Sequence, residues 1–285
     1  MAFTPRDLVN AVNGLVSLPE LAISVNRMAN DPRFSAADIG QSITRDPAMT
    51  ARLLRIANSS FFGFPSRIET VARAITIIGT QQLRDLITAA SVIDVFRNLP
   101  NELISMETFW RHSIRCAVIA RSLAAYLDET NIERFFTAGL LHDIGYLVLY
   151  RELPELSKQT LEHCRDNREI VFIVEQEIIG FDHAAVGGEL LRAWNLPEVL
   201  VEAVEFHHTP GLARNFKREA DIIHVANYLA NTMTANASHD ADTPALDNAA
   251  LHRLGLSDDI LMRLLKGAED QFNETLQVMI HEIAA

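Results

Sequence analysis

Apolar residues recur at helical spacing along almost the whole chain, and no segment shows the strict alternation that predicts a half-buried strand. Thr4-Pro5-Arg6-Asp7 has the form of a capping box with proline at the first helical position. The run Ser35 to Asp38 repeats the capping pattern, and Asp46-Pro47 predicts a third helix start. A further helix is expected to stop near Gly79, and the next to cover Gln81 to Phe96. The pattern predicts an all-α protein that begins with short helices.

Beyond residue 100 the predicted helices become longer. The longer ones are expected at Phe109 to Leu127, Ile132 to Leu149 and Ser157 to Ile178. Further helices are expected at Val186 to Trp194, Leu196 to His208 and Ala220 to Met233. Ser257, followed by two aspartates, is expected to cap a last amphipathic helix. This change predicts an N-terminal helical subdomain (1–100), a second helical subdomain (101–233) and a C-terminal linker with amphipathic helices (234–285).

Two polar segments interrupt the helical pattern. The Ser-, Gly- and Pro-rich segment from Asn58 to Thr70 also carries Phe61, Phe62 and Phe64, which are expected to clamp the two subdomains together. The segment from Ala235 to Asp247 is polar and is expected to lack a regular element.

Composition and charge narrow the functional classes. The chain has 285 residues, 48% of them hydrophobic, with a formal net charge of -12 and a pI near 5.3. Contact with a nucleic-acid backbone or an anionic membrane needs clustered lysine and arginine, so we expect neither. No apolar run approaches the length of a membrane span. Cys116 and Cys164 have no metal-type spacing, and we expect them, with Trp110 and Trp194, to be core residues of a soluble cytoplasmic protein.

One apolar stretch, Ala138 to Tyr150 (AGLLHDIGYLVLY), contains an adjacent ionisable pair, His142 and Asp143. Burying an imidazole beside a carboxylate costs several kcal/mol unless each group is hydrogen-bonded, paired or bound to a cation. We therefore expect either a metal ion or a hydrogen-bond network at this pair.

Other histidines and polar residues of the second half are candidates for the same site. The candidate metal ligands are His112, His142, Asp143, His183, His207 and His208, with Asp221 or Asn227 further on. Neutral imidazoles with a carboxylate suit Fe, Mn, Zn or Ni, whereas calcium prefers oxygen ligands and structural zinc more often uses cysteine. The sequence predicts one divalent transition-metal ion or two. The alternative is that each histidine caps a helix or hydrogen-bonds a backbone carbonyl.

The N-terminal half carries the signature of a known family. It consists of Leu18-Pro19 and of the run Asp46 to Leu86, DPAMTARLLRIANSSFFGFPSRIETVARAITIIGTQQLRDL, which includes Ala57-Asn58-Ser59. Through these residues the stretch from Leu18 to about Leu229 resembles the HDOD domain, a divergent branch of the HD metal-dependent phosphohydrolases. The resemblance implies an N-terminal helical bundle packed on an HD-like helical bundle, and a role in bacterial signalling.

In the second half the resemblance extends to the metal ligands of HD and HD-GYP hydrolases. His112 matches the first metal histidine, His142-Asp143 the paired motif, and His183 and His207-His208 the later ligands. In catalytic relatives these positions hold a metal pair that activates a water against a phosphodiester.

Three positions depart from the catalytic pattern. Tyr146 stands where catalytic relatives have a lysine that can hold a phosphate. Ala184 to Gly187 replaces the Gly-Tyr-Pro element after the third histidine. Asn227 stands where a late aspartate is expected, and Asp221 lies more than one turn away from that position. The departures imply a site that could hold a cation but lacks parts needed to turn over a dianionic nucleotide.

The sequence thus favours a non-catalytic signalling output module with a retained metal site. Because the recognised region fills nearly all of the chain, we expect its partners to be signalling proteins in trans, and a homodimer is allowed. The rival is a metal-dependent phosphohydrolase acting on a nucleotide or cyclic dinucleotide, with Asp143 as the candidate catalytic residue. A third hypothesis is a small-ligand sensor that uses the metal itself.

Overall fold

A computed structural model of the chain describes residues 3–12, 18–58, 67–97, 103–235 and 245–280. These residues form helices, with no strand among them, as the apolar spacing predicts. The first part comprises α1 Pro5–Val12, α2 Glu20–Ala29, α3 Ala36–Thr44, α4 Pro47–Ala57, α5 Val71–Ile78 and α6 Thr80–Arg97. None of the described helices is long and apolar enough to cross a membrane.

The predicted helix starts form through local hydrogen bonds. The Asp7 amide donates to Thr4 Oγ1 (3.2 Å), and the Thr4 amide donates to the Asp7 carboxylate (3.0 Å). At α3 the Asp38 amide donates to Ser35 Oγ (3.2 Å), and the Ser35 amide donates to the Asp38 carboxylate (2.8 Å). The side chain of Asp46 caps the start of α4. The sequence could place these starts because each bond joins residues only three apart.

The second part of the chain contains helices of 7 to 23 residues. They are α7 Met106–Tyr126, α8 Ile132–Leu141, α9 Ile144–Glu152, α10 Pro154–Asn167, α11 Val171–Ile178, α12 His183–Ala193, α13 Glu198–Glu205, α14 Lys217–Ala235, α15 Asn248–Leu254 and α16 Asp258–Ile280. A single 3-10 turn at Pro210–Leu212 lies between α13 and α14. The predicted clamp of Phe61, Phe62 and Phe64 and most of the polar segment at 235–247 lie outside the described residues.

Two of the long helices predicted from the apolar pattern are wrong, because each is two helices. The predicted helix Ile132 to Leu149 is interrupted at His142-Asp143, which separates α8 from α9. The predicted helix Ser157 to Ile178 is interrupted after α10, where Arg168 has a left-handed backbone (φ 55°). Apolar residues stay buried on both sides of each break, so hydrophobic spacing alone does not reveal it.

The two parts of the chain pack together through one continuous apolar core. α6 packs along α8, and Phe96 of α6 lies against Trp194, with 6.3 Å between the ring centroids. Trp110, Trp194 and the free thiols Cys116 and Cys164 are buried, as predicted. This arrangement confirms an N-terminal helical bundle packed on a second bundle, while the boundaries of the three predicted parts remain predictions.

A buried polar network lies where α6 meets α8. The Arg84 guanidinium donates to the Asp85 carboxylate at 2.6 and 2.8 Å, and Asn131 Nδ2 donates to the same carboxylate at 3.2 Å. Thr137 Oγ1 of α8 donates to the backbone oxygen of Asp85 (3.0 Å). Since α8 leads directly into His142, this network holds the helix that precedes the candidate site.

Candidate metal centre

The predicted ligands His112 and His142 meet at one oxygen of Asp143. Asp143 Oδ2 lies 3.1 Å from His142 Nε2 and 3.5 Å from His112 Nε2. The side-chain oxygen of Asn227 lies 3.1 Å from His112 Nε2. We call His112, His142 and Asn227 the amide cluster. Ligand atoms of His112, His142 and Asp143 lie within 4.8 Å of one another, a spacing at which they could hold one metal ion.

Three further imidazoles meet near the other oxygen of Asp143. Oδ1 lies 3.3 Å from His183 Nε2 and 3.6 Å from His207 Nε2, and His208 Nε2 lies 3.0 Å from His183 Nε2. The ligand atoms of His183, His207 and His208, which we call the triple-histidine cluster, also lie within 4.8 Å of one another. Each carboxylate oxygen of Asp143 therefore faces one cluster, the arrangement expected of a ligand that bridges two ions.

The six predicted ligands come from four separate places in the fold. His112 belongs to α7, His142-Asp143 to the break between α8 and α9, His183 to the start of α12, and His207-His208 to the segment after α13. Gly145 lets α9 approach α12, because a Cβ at this position would lie 1.9 Å from the backbone oxygen of His183. The break after α8 thus brings Asp143 between helices that are distant in sequence.

Hydrogen bonds to the backbone orient two of the imidazoles. His142 Nδ1 lies 2.8 Å from the oxygen of Gly139, and His207 Nδ1 lies 2.7 Å from that of Val204, so Nδ1 is the donor in each ring. Their buried Nε2 atoms have no hydrogen-bond partner within the described part of the chain. The alternative, that these histidines only hydrogen-bond backbone carbonyls, therefore explains the position of Nδ1 but not that of Nε2.

The position of His142 Nε2 beside Asp143 provides a test of whether a cation fits. A neutral imidazole that donates through Nδ1 presents a lone pair at Nε2, and that lone pair lies 3.1 Å from a carboxylate oxygen. Two electron-pair donors at this distance repel each other unless a proton or a metal ion lies between them. Burial opposes a charge on His142, but the Asp143 carboxylate raises the pKa of His142 well above its usual value, so a proton fills this gap when no ion is bound. Imidazole nitrogens with a carboxylate are also donors that suit a transition-metal ion in place of that proton.

Glu175 is a further member of the site that sequence reasoning missed. This buried carboxylate accepts hydrogen bonds from His183 Nδ1 (2.7 Å) and from the His183 backbone amide (2.9 Å). A carboxylate behind a ligating imidazole fixes the ring and makes it more basic. No motif marks Glu175, because its bond joins α11 to the start of α12 across the turn at Gly180.

Burial and charge shift the pKa values of two histidines in opposite directions. Burial lowers the pKa of His112 to about 4, despite the nearby charge of Asp143. Burial also opposes a charge on His183, but the carboxylates of Glu175 and Asp143 outweigh it and raise the pKa of His183 to about 10. A proton on His183 thus compensates the carboxylates when no ion is bound, and a metal ion would have to displace it.

The departures from the catalytic pattern have clear positions in the structure. Asp221 lies outside the site and accepts two hydrogen bonds from Arg253 (2.8 and 2.6 Å), whereas Asn227 reaches the amide cluster. The ring of Tyr146 stacks on that of His183, with 3.6 Å between their centroids. A neutral ring therefore covers the triple-histidine cluster at the position where the resemblance implies a lysine.

A cavity of about 270 Å³ opens beside Asp143. His112 and His208 also line it, so members of both clusters reach this space. Its aromatic lining consists of Phe109, Tyr146, Tyr150 and Phe172. No lysine or arginine lines the cavity within the described ranges of the chain.

The sequence matches one family model and resembles a curated protein. The family model of the HDOD domain matches residues 15–210. An uncharacterized protein of Treponema pallidum (strain Nichols) is 25% identical over 222 residues, which is 77% of this chain and 43% of that protein. The chain therefore spans less than half the length of this curated relative.

Two solved structures share the fold. A proposed phosphohydrolase from Shewanella amazonensis SB2B has a TM-score of 0.66 and 24% identity, over 91% of this chain and 97% of that one. A proposed signal transduction protein from Marinobacter aquaeolei VT8 has a TM-score of 0.72 and 18% identity, over 95% of this chain and 61% of that one. At these identities the likeness concerns the fold. Because the family model matches more than half of its length, the chain belongs to the HDOD domain family.

Proposed function

We propose that this chain is a regulatory module of bacterial signal transduction whose HD-like bundle binds one or two divalent transition-metal ions. The observation that supports the proposal best is the meeting of four histidines at the two oxygens of Asp143, with His208 beside them. Among the described residues, the buried Nε2 atoms of His142 and His207 have no hydrogen-bond partner. The likeness in fold to a proposed signal transduction protein agrees with a signalling role.

The donor set decides which ions suit the site. Imidazole nitrogens and a single carboxylate favour Fe, Mn, Zn or Ni over calcium, which prefers an all-oxygen site. His183, His207 and His208 would hold one ion, His112 and His142 the other, and Asp143 would contact both. Bound ions would supply positive charge and lower the pKa of a bound water.

Turnover of a phosphodiester is not part of the proposal. Asn227 brings an amide, without charge, to the position of a carboxylate, and Tyr146 brings a neutral ring to the position of a lysine. The cavity beside Asp143 has no cationic side chain among its described lining residues. A dianionic substrate would therefore depend on the metal ions alone for charge compensation.

Metal analysis of matched histidine variants tests the proposal. The protein is purified without chelator, dialysed against metal-free buffer and measured by plasma mass spectrometry. We expect the wild type and His252→Ala, which alters an exposed histidine on α15, to retain at least one ion per chain. His207→Ala, which removes one imidazole of the triple-histidine cluster, should retain less than half as much. A wild type that carries no ion, and takes up none of Mn, Fe, Zn or Ni in equilibrium dialysis, would overturn the proposal.

The signalling part of the proposal has its own test. Thr137 and Asp85 connect the helix before His142 to α6 of the N-terminal bundle. Metal binding is therefore expected to change the stability of that bundle, and through it the surface that a partner protein would contact. Hydrogen exchange should then slow in α6 as well as in α8 when manganese is added. Protection confined to the ligand-bearing helices would contradict this coupling.

A metal-dependent phosphohydrolase is the second candidate function. It is favoured by the cavity, which reaches His112 of the amide cluster and His208 of the triple-histidine cluster, so that one substrate could contact ions at both. The metal-loaded protein is screened for hydrolysis of bis-p-nitrophenyl phosphate, cyclic dinucleotides and RNA. Activity that disappears in Asp143→Asn and persists in His252→Ala would establish the enzyme and reject the non-catalytic module.

A further inference from the structure

The cavity beside Asp143 combines a potential cation site with neutral walls, part of which are aromatic and part aliphatic. Among the described residues, Asp143 is the only charged side chain on its lining. Ring surfaces of Tyr146, Tyr150 and Phe172 surround this entrance to the two clusters. The chemistry of a ligand that suits the cavity follows from these two properties.

The charge of the loaded site calls for an anion. With an ion at each cluster, two divalent ions would carry four positive charges, and the described side chains that would contact them supply one negative charge, at Asp143. Glu175 contributes one more from behind His183. At least two positive charges remain uncompensated, and burying uncompensated charge is costly. Because His112 of the amide cluster and His208 of the triple-histidine cluster both line the cavity, the missing negative charge would come from a ligand in that space.

The side chains that line the cavity restrict the part of the ligand that does not carry the negative charge. The ring of Phe172 stacks on His208 (4.2 Å between centroids), and that of Tyr146 stacks on Tyr150 (5.4 Å), so both rings are held in place. Such rings favour a flat apolar group, while the lack of lysine and arginine leaves a second anionic group without a partner. A volume of about 270 Å³ lies just below the usual range for drug-sized ligands, which indicates a small molecule.

We propose that this cavity binds a small organic oxyanion with one anionic head and one aromatic body. The head would complete the coordination of the metal ions beside Asp143, and the body would lie against Phe172 and Tyr150. The inference rests on the proposed metal site and narrows its ligand. It disfavours nucleotides with several phosphates and cyclic dinucleotides, which carry two anionic groups and a larger body.

Calorimetric titration of the manganese-loaded protein tests the inference. The probes are phenyl phosphate, benzoate, inorganic phosphate and cyclic di-GMP, and the metal content of each sample is measured in parallel. Phenyl phosphate should bind at least about 10-fold more tightly than inorganic phosphate, since the ring adds buried apolar area at about 25 cal/mol per Å². Comparison with benzoate shows whether the head is a phosphate or a carboxylate.

Two variants test which lining residues determine the preference for phenyl phosphate. Phe172→Ala should reduce the preference for phenyl phosphate over inorganic phosphate to less than about 3-fold, whereas Ile173→Ala, an exposed neighbour on the same helix, should keep it. Tyr146→Lys should improve the binding of cyclic di-GMP relative to phenyl phosphate by adding a cation to the wall.

The outcomes separate this inference from the proposed function. Protein that holds manganese but binds inorganic phosphate or cyclic di-GMP at least as tightly as phenyl phosphate and benzoate would overturn the ligand class and leave the metal module intact. Protein that holds no metal would overturn both.

Discussion

The two clusters on either side of Asp143 have similar donors but different surroundings. The triple-histidine cluster has three imidazoles, one of them hydrogen-bonded to the buried Glu175, and Tyr146 stacked over it. The amide cluster has two imidazoles, the neutral side chain of Asn227 and an open side toward the cavity. The comparison teaches that ligand number and the groups behind the ligands differ within one site, so we expect the triple-histidine cluster to bind its ion more tightly.

The largest loss of metal affinity is expected from substitution of Asp143, which lies between the two clusters. Asp143→Ala removes the one carboxylate that faces both, so affinity should fall at both clusters by more than about 100-fold, because losing even a group behind a ligand costs about 10-fold to 100-fold. Calorimetric titration with Mn²⁺ or Zn²⁺ measures this loss. Retention of a tight ion in the variant would show that Asp143 does not bridge the clusters.

A substitution confined to the triple-histidine cluster should distinguish the binding of the two ions. His207→Ala removes one of its three imidazoles, and we expect the tight ion to be lost while weak binding at the amide cluster persists. Metal stoichiometry and titration curves distinguish the two cases. Loss of weak binding alone, with the tight ion retained, would reverse the assigned order of affinity.

The contribution of the group behind the ligand is tested at Glu175. Glu175→Gln removes the charge that faces His183 Nδ1, so affinity at the triple-histidine cluster should fall by about 10-fold to 100-fold while the amide cluster changes little. Glu177→Gln, on the exposed face of the same helix, is the matched control. Equal effects of the two substitutions would indicate that overall charge, and not the hydrogen bond, matters.

The smallest expected effect is an increase in metal affinity at the amide cluster. Asn227→Asp supplies a carboxylate next to His112, and affinity there should rise by about 10-fold, which corresponds to about 1.4 kcal/mol. Asn231→Asp adds the same charge one turn along α14, where its side chain contacts Asn227 and not His112, so its gain should be smaller. Isothermal titration of both variants checks the prediction, and a larger gain in Asn231→Asp would contradict direct coordination by residue 227.

Much of the candidate site could be predicted because its chemistry is concentrated in a few residue types. The pair His142-Asp143 is conspicuous in an apolar run, and the remaining histidines follow from their residue type and from the resemblance to HD hydrolases. Glu175 could not be predicted in this way, because acidic residues are common and its role depends on contact with His183. The helix break at His142-Asp143 was also missed, since buried apolar residues continue on both sides.

By itself the sequence determined the helical class, the capped starts at Thr4, Ser35 and Asp46, and the residue types available to a metal site. These depend on interactions between residues a few positions apart, which the chain carries wherever it folds. Only the tertiary structure decided which oxygen of Asp143 faces which cluster, which carboxylate lies behind His183 and which neutral side chains line the cavity. The physical reason is that these contacts join α7, α9, α11, α12 and α14, and packing of distant helices sets distances that no local pattern encodes.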